Sequence, residues 1–463
     1  MTTITISSGM SSSVDVGSGS TLVVEGGGTS DDSSISGMEI VSAGGASLGD
    51  VIHIHGMADV FGSASGTIVE GGQTLESGAV GSAVHVHGAG GLTVDSGAVA
   101  YAPVVTGFMT VSAGGELQGG IIERNNRLDG ENLQVFGSAS GTIIRSRGSA
   151  AIEGGGVGND LVDDGGSISV GGSGNNINIR AGVLVVWGSV DNLRFGGSEA
   201  SGSDQVDVYG GGVVTSAFIS SGGEGLEVLG GALSGAVASN GAYLLISGGG
   251  AASNLIVDST VVNVSGGSVD NAYVRSGGNL ALEKVGDTGT GFRVSSGGSA
   301  SVFPGASVTG GYVLNGGTEV VGGVVDGATV SNGGMLAIVY STTVAENLVL
   351  HPGADVLVSW TSATAEISGG ALDVMTGGTE LLSMTLSGGG SGLGVTTTVL
   401  SSGWASGWME ITVTRSGPDA VRVAPALLAQ HAAAFGDGGA LPGSSTVHGG
   451  GTSSAVAEML KPR

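Results

Sequence analysis

Val257-Asp-Ser-Thr-Val-Val-Asn-Val-Ser-Gly-Gly-Ser-Val-Asp-Asn-Ala-Tyr-Val-Arg-Ser-Gly-Gly, which ends at Gly278, is the stretch of sequence that decides the fold. Val262 and Val264 alternate there with polar residues, which is the two-residue period of a half-buried strand. The apolar runs are about 4 to 6 residues long, as strands usually are. The Gly-Gly pairs between them allow the positive φ angle of a tight corner, because glycine has no Cβ atom to clash there. The stretch therefore predicts short strands joined by glycine corners.

This pattern repeats with a period a little under 20 residues. Between Ser247 and Gly334 the first glycine of each Gly-Gly motif falls at positions 248, 266, 277, 297, 316 and 333, so the steps are 18, 11, 20, 19 and 17 residues, one of them a half step. Val60-Phe-Gly-Ser-Ala-Ser-Gly-Thr-Ile also recurs from Val135, which is 75 residues or about four repeats later. Such a period is typical of a solenoid, in which each repeat buries its apolar face only against its neighbours.

The predicted fold is all-β: a single-domain parallel β-helix (β-solenoid) of about 20 coils. Collagen is excluded because the 96 glycines of the 463 residues do not fall at every third position, and the 40% apolar content disfavours disorder. We place the solenoid repeat domain at residues 1–400, a C-terminal cap at 401–436 and a flexible Gly/Ser-rich tail at 437–463. The cap is predicted to combine a β-hairpin over residues 407–423 with a short helix over 425–435, and to cover the strand edge that a solenoid exposes at its end.

Composition limits the function. Thirteen Lys and Arg against 39 Asp and Glu give a formal net charge of −26, which argues against nucleic acid as a partner. Cysteine is absent, which fits an oxidising exterior without reliance on disulfides. No run of about 18 apolar residues occurs, so we expect no transmembrane helix.

The iterated motif resembles the passenger repeats of AIDA-type autotransporter adhesins, with Val294-Ser-Ser-Gly-Gly-Ser-Ala, Val264-Ser-Gly-Gly-Ser-Val and Val330-Ser-Asn-Gly-Gly-Met-Leu as the nearest matches. The resemblance covers roughly residues 1 to 400. It implies a right-handed parallel β-helix at the bacterial surface that promotes self-association, adhesion and biofilm formation. It also implies that serines of the repeats can carry heptose added by a heptosyltransferase.

The chain departs from that family at both ends. The N-terminus has neither the basic nor the apolar region of a secretory signal, and no series of about a dozen amphipathic strands, as a translocator would need, follows Gly407. We therefore expect an excised passenger or a protein exported by another route.

Two histidine pairs are the best candidates for a metal site. His53 and His55 lie in Val-Ile-His-Ile-His-Gly, and His85 and His87 in Ala-Val-His-Val-His-Gly. Residues i and i+2 of a strand share a face, so each pair would offer two imidazoles to zinc or nickel, and four if the runs stacked. The 32-residue offset between the pairs is not a multiple of the period, and exposed histidine ladders without metal are the alternative.

Catalytic signatures are weak. Asp31-Asp32 and Asp163-Asp164 are paired carboxylates, but adjacent strand residues point to opposite faces and make poor acid/base partners. We assign no catalytic, cofactor-binding or metal-ligating residue, expect no cofactor, and predict a non-enzymatic extracellular adhesin-like protein whose partners are other copies of itself and host or matrix glycans. The alternative is a carbohydrate-active β-helix that binds or cleaves polysaccharide, with carboxylates converging beside a predicted loop at residues 123–132.

Overall fold

The computed structural model describes residues 2–123, 131–145, 147–196, 204–220, 225–360, 362–386, 390–401 and 405–415. These residues contain no α-helix and form a parallel β-solenoid of about 19 turns, which confirms the predicted fold class and is consistent with right-handed winding. The chain divides into two compact units. Unit 1 comprises Met1–Phe218 and Gly222–Gly225, and unit 2 comprises Ile219–Ser221 and Leu226–Arg463.

Each turn has three strands, which we assign in chain order to ladders A, B and C. A strands are mostly four residues long, and B and C strands have two or three residues. Equivalent strands of successive turns pair in parallel and in register: Val24 pairs with Val41, and Val41 with Val60. Neighbouring turns are therefore separated by the usual strand spacing of about 4.8 Å.

In unit 1, the A strands are Thr3–Ile6, Thr21–Val24, Met38–Val41, Met57–Val60, Gly72–Leu75, Gly91–Val94, Phe108–Val111, Leu133–Val135, Ser149–Ile152 and Gln205–Tyr209. The B strands are Ser11–Ser12, Thr29–Asp31, Ala46–Leu48, Ser63–Ser65, Val80–Ser82, Val99–Tyr101, Glu116–Gln118, Ser138–Ser140, Val157–Asn159 and Val213–Thr215. The C strands are Asp15–Val16, Ser34–Ile35, Val51–Ile52, Ile68–Val69, His85–Val86, Val104–Val105, Ile121–Glu123, Ile143–Arg145 and Phe218–Ile219, whose last residue belongs to unit 2. Three longer strands continue through corners: Val162–Val170, Ser173–Val186 and Ser189–Phe195.

In unit 2, the A strands are Gly225–Leu229, whose first residue belongs to unit 1, Tyr243–Ser247, Val261–Ser265, Asn279–Leu282, Ser299–Val302, Thr318–Val321, Met335–Ile338 and Asp355–Val358. The B strands are Ala232–Ser234, Ala251–Ser253, Ser268–Asp270, Thr288–Thr290, Ser307–Thr309, Val324–Asp326 and Val344–Glu346. The C strands are Val237–Ser239, Ile256–Asp258, Tyr273–Val274, Arg293–Val294, Tyr312–Val313, Thr329–Val330 and Val349–Leu350.

The half step in the sequence period has a structural cause. Gly266 and Gly267 lie at the corner between an A and a B strand, whereas Gly277 and Gly278 lie at the corner between a C and an A strand. The 11-residue step therefore separates two different corners of one turn. A Cβ atom at Gly278 would lie 2.4 Å from the carbonyl oxygen of Val257 in the previous turn, so this corner needs glycine for close backbone approach.

Alternate strand residues point inward and stack in columns. The fourth A position, for example, runs from Val60 through Leu75, Val94 and Val111 to Val135, all of them fully buried. Val135 thus lies four turns after Val60, as the 75-residue sequence repeat predicts. These columns of β-branched and Leu side chains form the core, and their burial supplies the stabilisation that a single turn lacks.

The parallel ladders end at Asp355–Val358. The repeats predicted around residues 361–370 and 381–390 are instead antiparallel: Thr364–Ser368, Ala371–Thr376 and Thr379–Thr385 form a three-stranded sheet. Leu393–Val399 pairs antiparallel with Met409–Arg415, which also pairs antiparallel with Asp355–Val358 and so covers the edge of ladder A. The second half of the predicted hairpin, the helix at 425–435 and the tail lie outside the described residues, and the domain limits at 400 and 436 stay predictions.

A second apolar cluster lies outside the solenoid wall of unit 2. Val320, Ala337 and Leu357 occupy outward A positions, yet they are buried under Leu400 and Ala405. Phe303, Tyr340 and Trp408 pack against the same cluster. The chain after the last parallel turn therefore folds back onto the side of ladder A.

Candidate functional site

The outer face of ladder B is the most regular polar surface of the described residues. The middle residue of a B strand is buried and its neighbours face outward, as in Ser63–Ser65 and Ala251–Ser253. We call these outward residues, together with the corner residue that follows each strand, the B face. Its third strand positions are polar except for Leu48, and they are Asp31, Leu48, Ser65, Ser82, Tyr101, Gln118, Ser140, Asn159, Asn175, Asp191 and Thr215 in unit 1, and Ser234, Ser253, Asp270, Thr290, Thr309, Asp326 and Glu346 in unit 2.

The corner between ladders B and C adopts positive φ in turn after turn. Its residues are Asp32, Gly49, Gly66, Ala83, Ala102, Gly119, Gly141, Asp160, Asn176, Asn192, Ser216, Gly235, Asn254, Asn271, Gly291, Gly310, Gly327 and Asn347. The left-handed conformation directs the backbone N–H of the corner to the next turn: Gly66 donates to the carbonyl of Ser82 at 3.0 Å, and Asn254 to that of Asp270 at 2.9 Å. Gly, Asn and Asp predominate here because they tolerate this conformation best.

Side chains of the B face are hydrogen-bonded along the solenoid. The Asn271 amide donates to Asn254 Oδ1 at 2.7 Å, and the Ser253 hydroxyl donates to that of Ser234 at 3.0 Å. In unit 1, Asn192 donates to Asn176 at 2.8 Å and Asn176 to Asp160 at 3.0 Å. Such ladders fix the side-chain rotamers, so the face presents ordered donors and acceptors at the turn spacing.

Sequence analysis missed this corner. It identified the Gly-Gly corners, whereas the B/C corner is a single residue of variable identity. The signal that could have found it is a lone Gly, Asn or Asp that recurs near the solenoid period, as at Asp160, Asn176 and Asn192.

The histidines do not form the four-imidazole group that the metal hypothesis requires. His53 follows the strand Val51–Ile52, and His55 lies in a turn at φ 73°, so this pair does not share a strand face. His53 hydrogen-bonds to Ser34 at 3.1 Å, and its Nδ1 lies 3.4 Å from the Glu70 carboxylate.

The second histidine pair has a different environment. His85 starts a C strand and pairs in register with Ile68, which itself pairs with Val51, two turns before His85. The rings of His85 and His87 are stacked with centroids 6.2 Å apart. No group of three or more His, Asp or Glu side chains in the described ranges is arranged to hold a metal ion.

The two predicted carboxylate pairs are separated as the strand period requires. Asp163 is fully buried, whereas Asp164 faces outward with its carboxylate 3.5 Å from Arg145. Asp31 is exposed on the B face, and Asp32 occupies the corner after it. Of the predicted loop at 123–132, residues 124–130 lie outside the described residues, so convergence of carboxylates beside it stays a prediction.

The interior holds carboxyl groups that the sequence analysis did not identify. Glu39 is fully buried, and desolvation, reinforced by the neighbouring carboxylate of Asp50, raises the pKa of Glu39 to about 9. Asp50 accepts hydrogen bonds from the Ser33 N–H at 2.6 Å and the Ser47 hydroxyl at 2.8 Å, so the charge of this pair resides on Asp50 and the proton on Glu39.

Similar groups occur further along the chain. Desolvation raises the pKa of Asp163 and of Glu319 to about 7, and the nearby Asp204 adds to the shift of Asp163. Asp204 anchors the Gly182 N–H at 2.6 Å. These acids are enclosed by the turns and are therefore unsuited to act on a polymer outside them.

The protein thus belongs structurally to the parallel β-solenoid repeat proteins. One solved structure similar to it is described as a TibC-catalysed hyper-glycosylated TibA55-350 fragment, with 22% sequence identity, a TM-score of 0.26, and coverage of 77% of this chain and 91% of that fragment. A likeness at this level does not establish a family or a function. No protein-family model and no curated protein matches the sequence.

Proposed function

We propose that this protein is an extracellular, non-enzymatic adhesin-like protein of a bacterial surface, and that copies associate through their B faces. The observation that carries the proposal is the B face itself: aligned hydroxyl, amide and carboxylate groups held by hydrogen bonds from turn to turn. The repeat resemblance to AIDA-type passengers supports the same role. Among the described residues no helix has the length and apolarity needed to cross a membrane.

The mechanism is multivalent. Each hydrogen bond between two B faces would replace bonds to water and contribute little by itself. Many such bonds at matching spacing form together once two copies align, so affinity increases with the number of turns engaged. The formal charge of −26 opposes this association, and salt should strengthen it by shortening the range of repulsion.

Sedimentation velocity of the purified protein tests this proposal. We expect larger species at about 300 mM than at about 30 mM NaCl, because the Debye length shortens roughly threefold. A variant with Ser63→Asp, Ser65→Asp and Ser82→Asp should associate less, since it adds three charges to one B face.

The matched control places the same charges on ladder A of the same unit: Thr74→Asp, Thr93→Asp and Thr110→Asp, three outward residues paired in register. Equal loss of association in both triple variants would show that net charge, and not the B face, governs association. A protein that stays monomeric at every salt concentration would also contradict the proposal.

We further propose that outward serines of the B face accept heptose in the native host. Ser138 and Ser140 are partly exposed, whereas Ser30 and Ser47 on the same ladder are fully buried. Peptide mass spectrometry of protein from the native host should therefore find sugar mass on Ser138 and Ser140 but not on Ser30 or Ser47. Unmodified outward serines would contradict the proposal.

A further inference from the structure

Two arginines and two tyrosines form a cluster on the outer face of ladder C in unit 2. Tyr273, Arg293 and Tyr312 are register partners on three successive turns, so their side chains form one column. Arg275 follows Tyr273 by two residues and faces the same way, because Val274 between them is buried. We call these four residues the Arg/Tyr cluster.

The guanidinium groups are held by aromatic rings. Arg275 Cζ lies 4.9 Å from the ring centroid of Tyr273, and Arg293 Cζ lies 5.6 Å from that of Tyr312. A cation–π contact restrains a guanidinium group through its flat face and leaves its in-plane N–H groups for a planar acceptor. The cluster is also accessible, since Arg275 and Arg293 are exposed and Tyr312 keeps 47% of its surface exposed.

The charge of the cluster is unusual for this chain. Only 13 of 463 residues are Lys or Arg, yet two of them adjoin here. No carboxylate of the described residues forms an ion pair with Arg275 or Arg293, although Asp258 lies one turn before Arg275. Arg145, at an outward position of ladder C in unit 1, is by contrast paired with Asp164 at 3.5 Å. The cluster is therefore a local cationic site with unused donors on an acidic protein.

The geometry points to the ligand class. Arg275 and Arg293 are on adjacent turns and offset by two residues, which separates their Cα atoms by roughly 8 Å and lets both side chains reach one oxyanion. The exposed ring of Tyr312 offers a flat apolar surface beside them. A sugar ring can stack on such a surface while its carboxylate accepts the guanidinium N–H groups. The net charge of −26 disfavours polyanions and a second copy, so a single acidic group on an otherwise neutral glycan fits best.

We propose that the Arg/Tyr cluster binds the carboxylate of an acidic sugar residue at the end of a glycan chain. This deepens the proposed adhesive role and rests on it. The cluster lies on ladder C and not on the B face, so glycan binding and self-association can fail independently. The B-face variants should keep glycan binding, and variants of the cluster should keep self-association.

The test uses biolayer interferometry of the full chain on an immobilised glucuronate-terminated oligosaccharide, with the same oligosaccharide ending in neutral glucose as the reference. We expect binding to the acidic form only, weakened by added salt. Arg275→Gln with Arg293→Gln should reduce affinity by about tenfold or more, and Tyr312→Ala by about threefold to tenfold. Arg145→Gln, which removes an arginine that is already ion-paired, should leave it unchanged.

Several results would overturn the proposal. Equal binding of the neutral oligosaccharide would show that the carboxylate is not recognised. Equal loss in Arg145→Gln would reduce the effect to overall charge. Competition by an aspartate-rich peptide as effective as by the free acidic oligosaccharide would show recognition of carboxylates without sugar. Loss of affinity would count only for variants whose thermal unfolding matches that of the unsubstituted protein.

Discussion

Glu39→Gln should remove part of the pH dependence of stability. The pKa of Glu39 is about 9 in the fold against 4.5 for an ordinary glutamate, so between these values the folded chain holds a proton that the unfolded chain has released. The stabilising contribution of this group is therefore complete below pH 4.5 and is lost as pH rises toward 9. The slope is about −1.4 kcal/mol per pH unit, and between pH 6 and pH 8 the loss is about 3 kcal/mol.

Glutamine has nearly the same shape as glutamic acid, stays neutral, and can donate its amide to Asp50 in place of the acid proton. Urea unfolding followed by circular dichroism should show that the unfolding free energy falls by about 3 kcal/mol more in the unsubstituted protein than in Glu39→Gln between pH 6 and pH 8. Glu25→Gln, at an exposed position of the same unit, is the control and should keep the original slope. Parallel pH profiles for the unsubstituted protein and Glu39→Gln would refute the account of a protonated interior acid.

Two further substitutions test packing and backbone conformation. Leu357→Asn should lower the free energy of unfolding by about 2–4 kcal/mol because it places an amide in the apolar cluster under Leu400; Leu245→Asn, at an equivalent outward position that is only half-buried, should cost under about 1 kcal/mol, and equal costs would contradict the cover over Leu357. Gly66→Ala should cost about 1 kcal/mol through its φ of 64° alone, since no atom lies within 4 Å of the new Cβ; an unchanged denaturation midpoint would show that this corner does not require the left-handed conformation.

Local pattern predicted most of the solenoid. Period-two alternation in stretches such as Val261–Ser265 and recurring Gly-Gly corners were sufficient, because both depend on neighbouring residues along the chain. The same reasoning separated Asp163 from Asp164, since adjacent strand residues point to opposite faces.

Register between turns could not be read from the chain. Turn length varies, so His85 is equivalent to Val51 and not to His53, and the pairing of histidines expected from their matching sequences does not occur. The Arg/Tyr cluster depends on the same property, since Tyr273 and Arg293 are 20 residues apart and meet only because their turns stack in register.

By itself, then, the sequence determined the class of fold, the strand period and the glycine corners, which are local properties of the backbone. Only the tertiary structure decided which side chains share a column, that the chain after Val358 turns antiparallel and folds back over Leu357, and that Glu39 lies enclosed beside Asp50. The physical reason is that contacts between turns and the desolvation of a buried acid are set by residues distant in the chain, whose alignment depends on the length of every intervening corner.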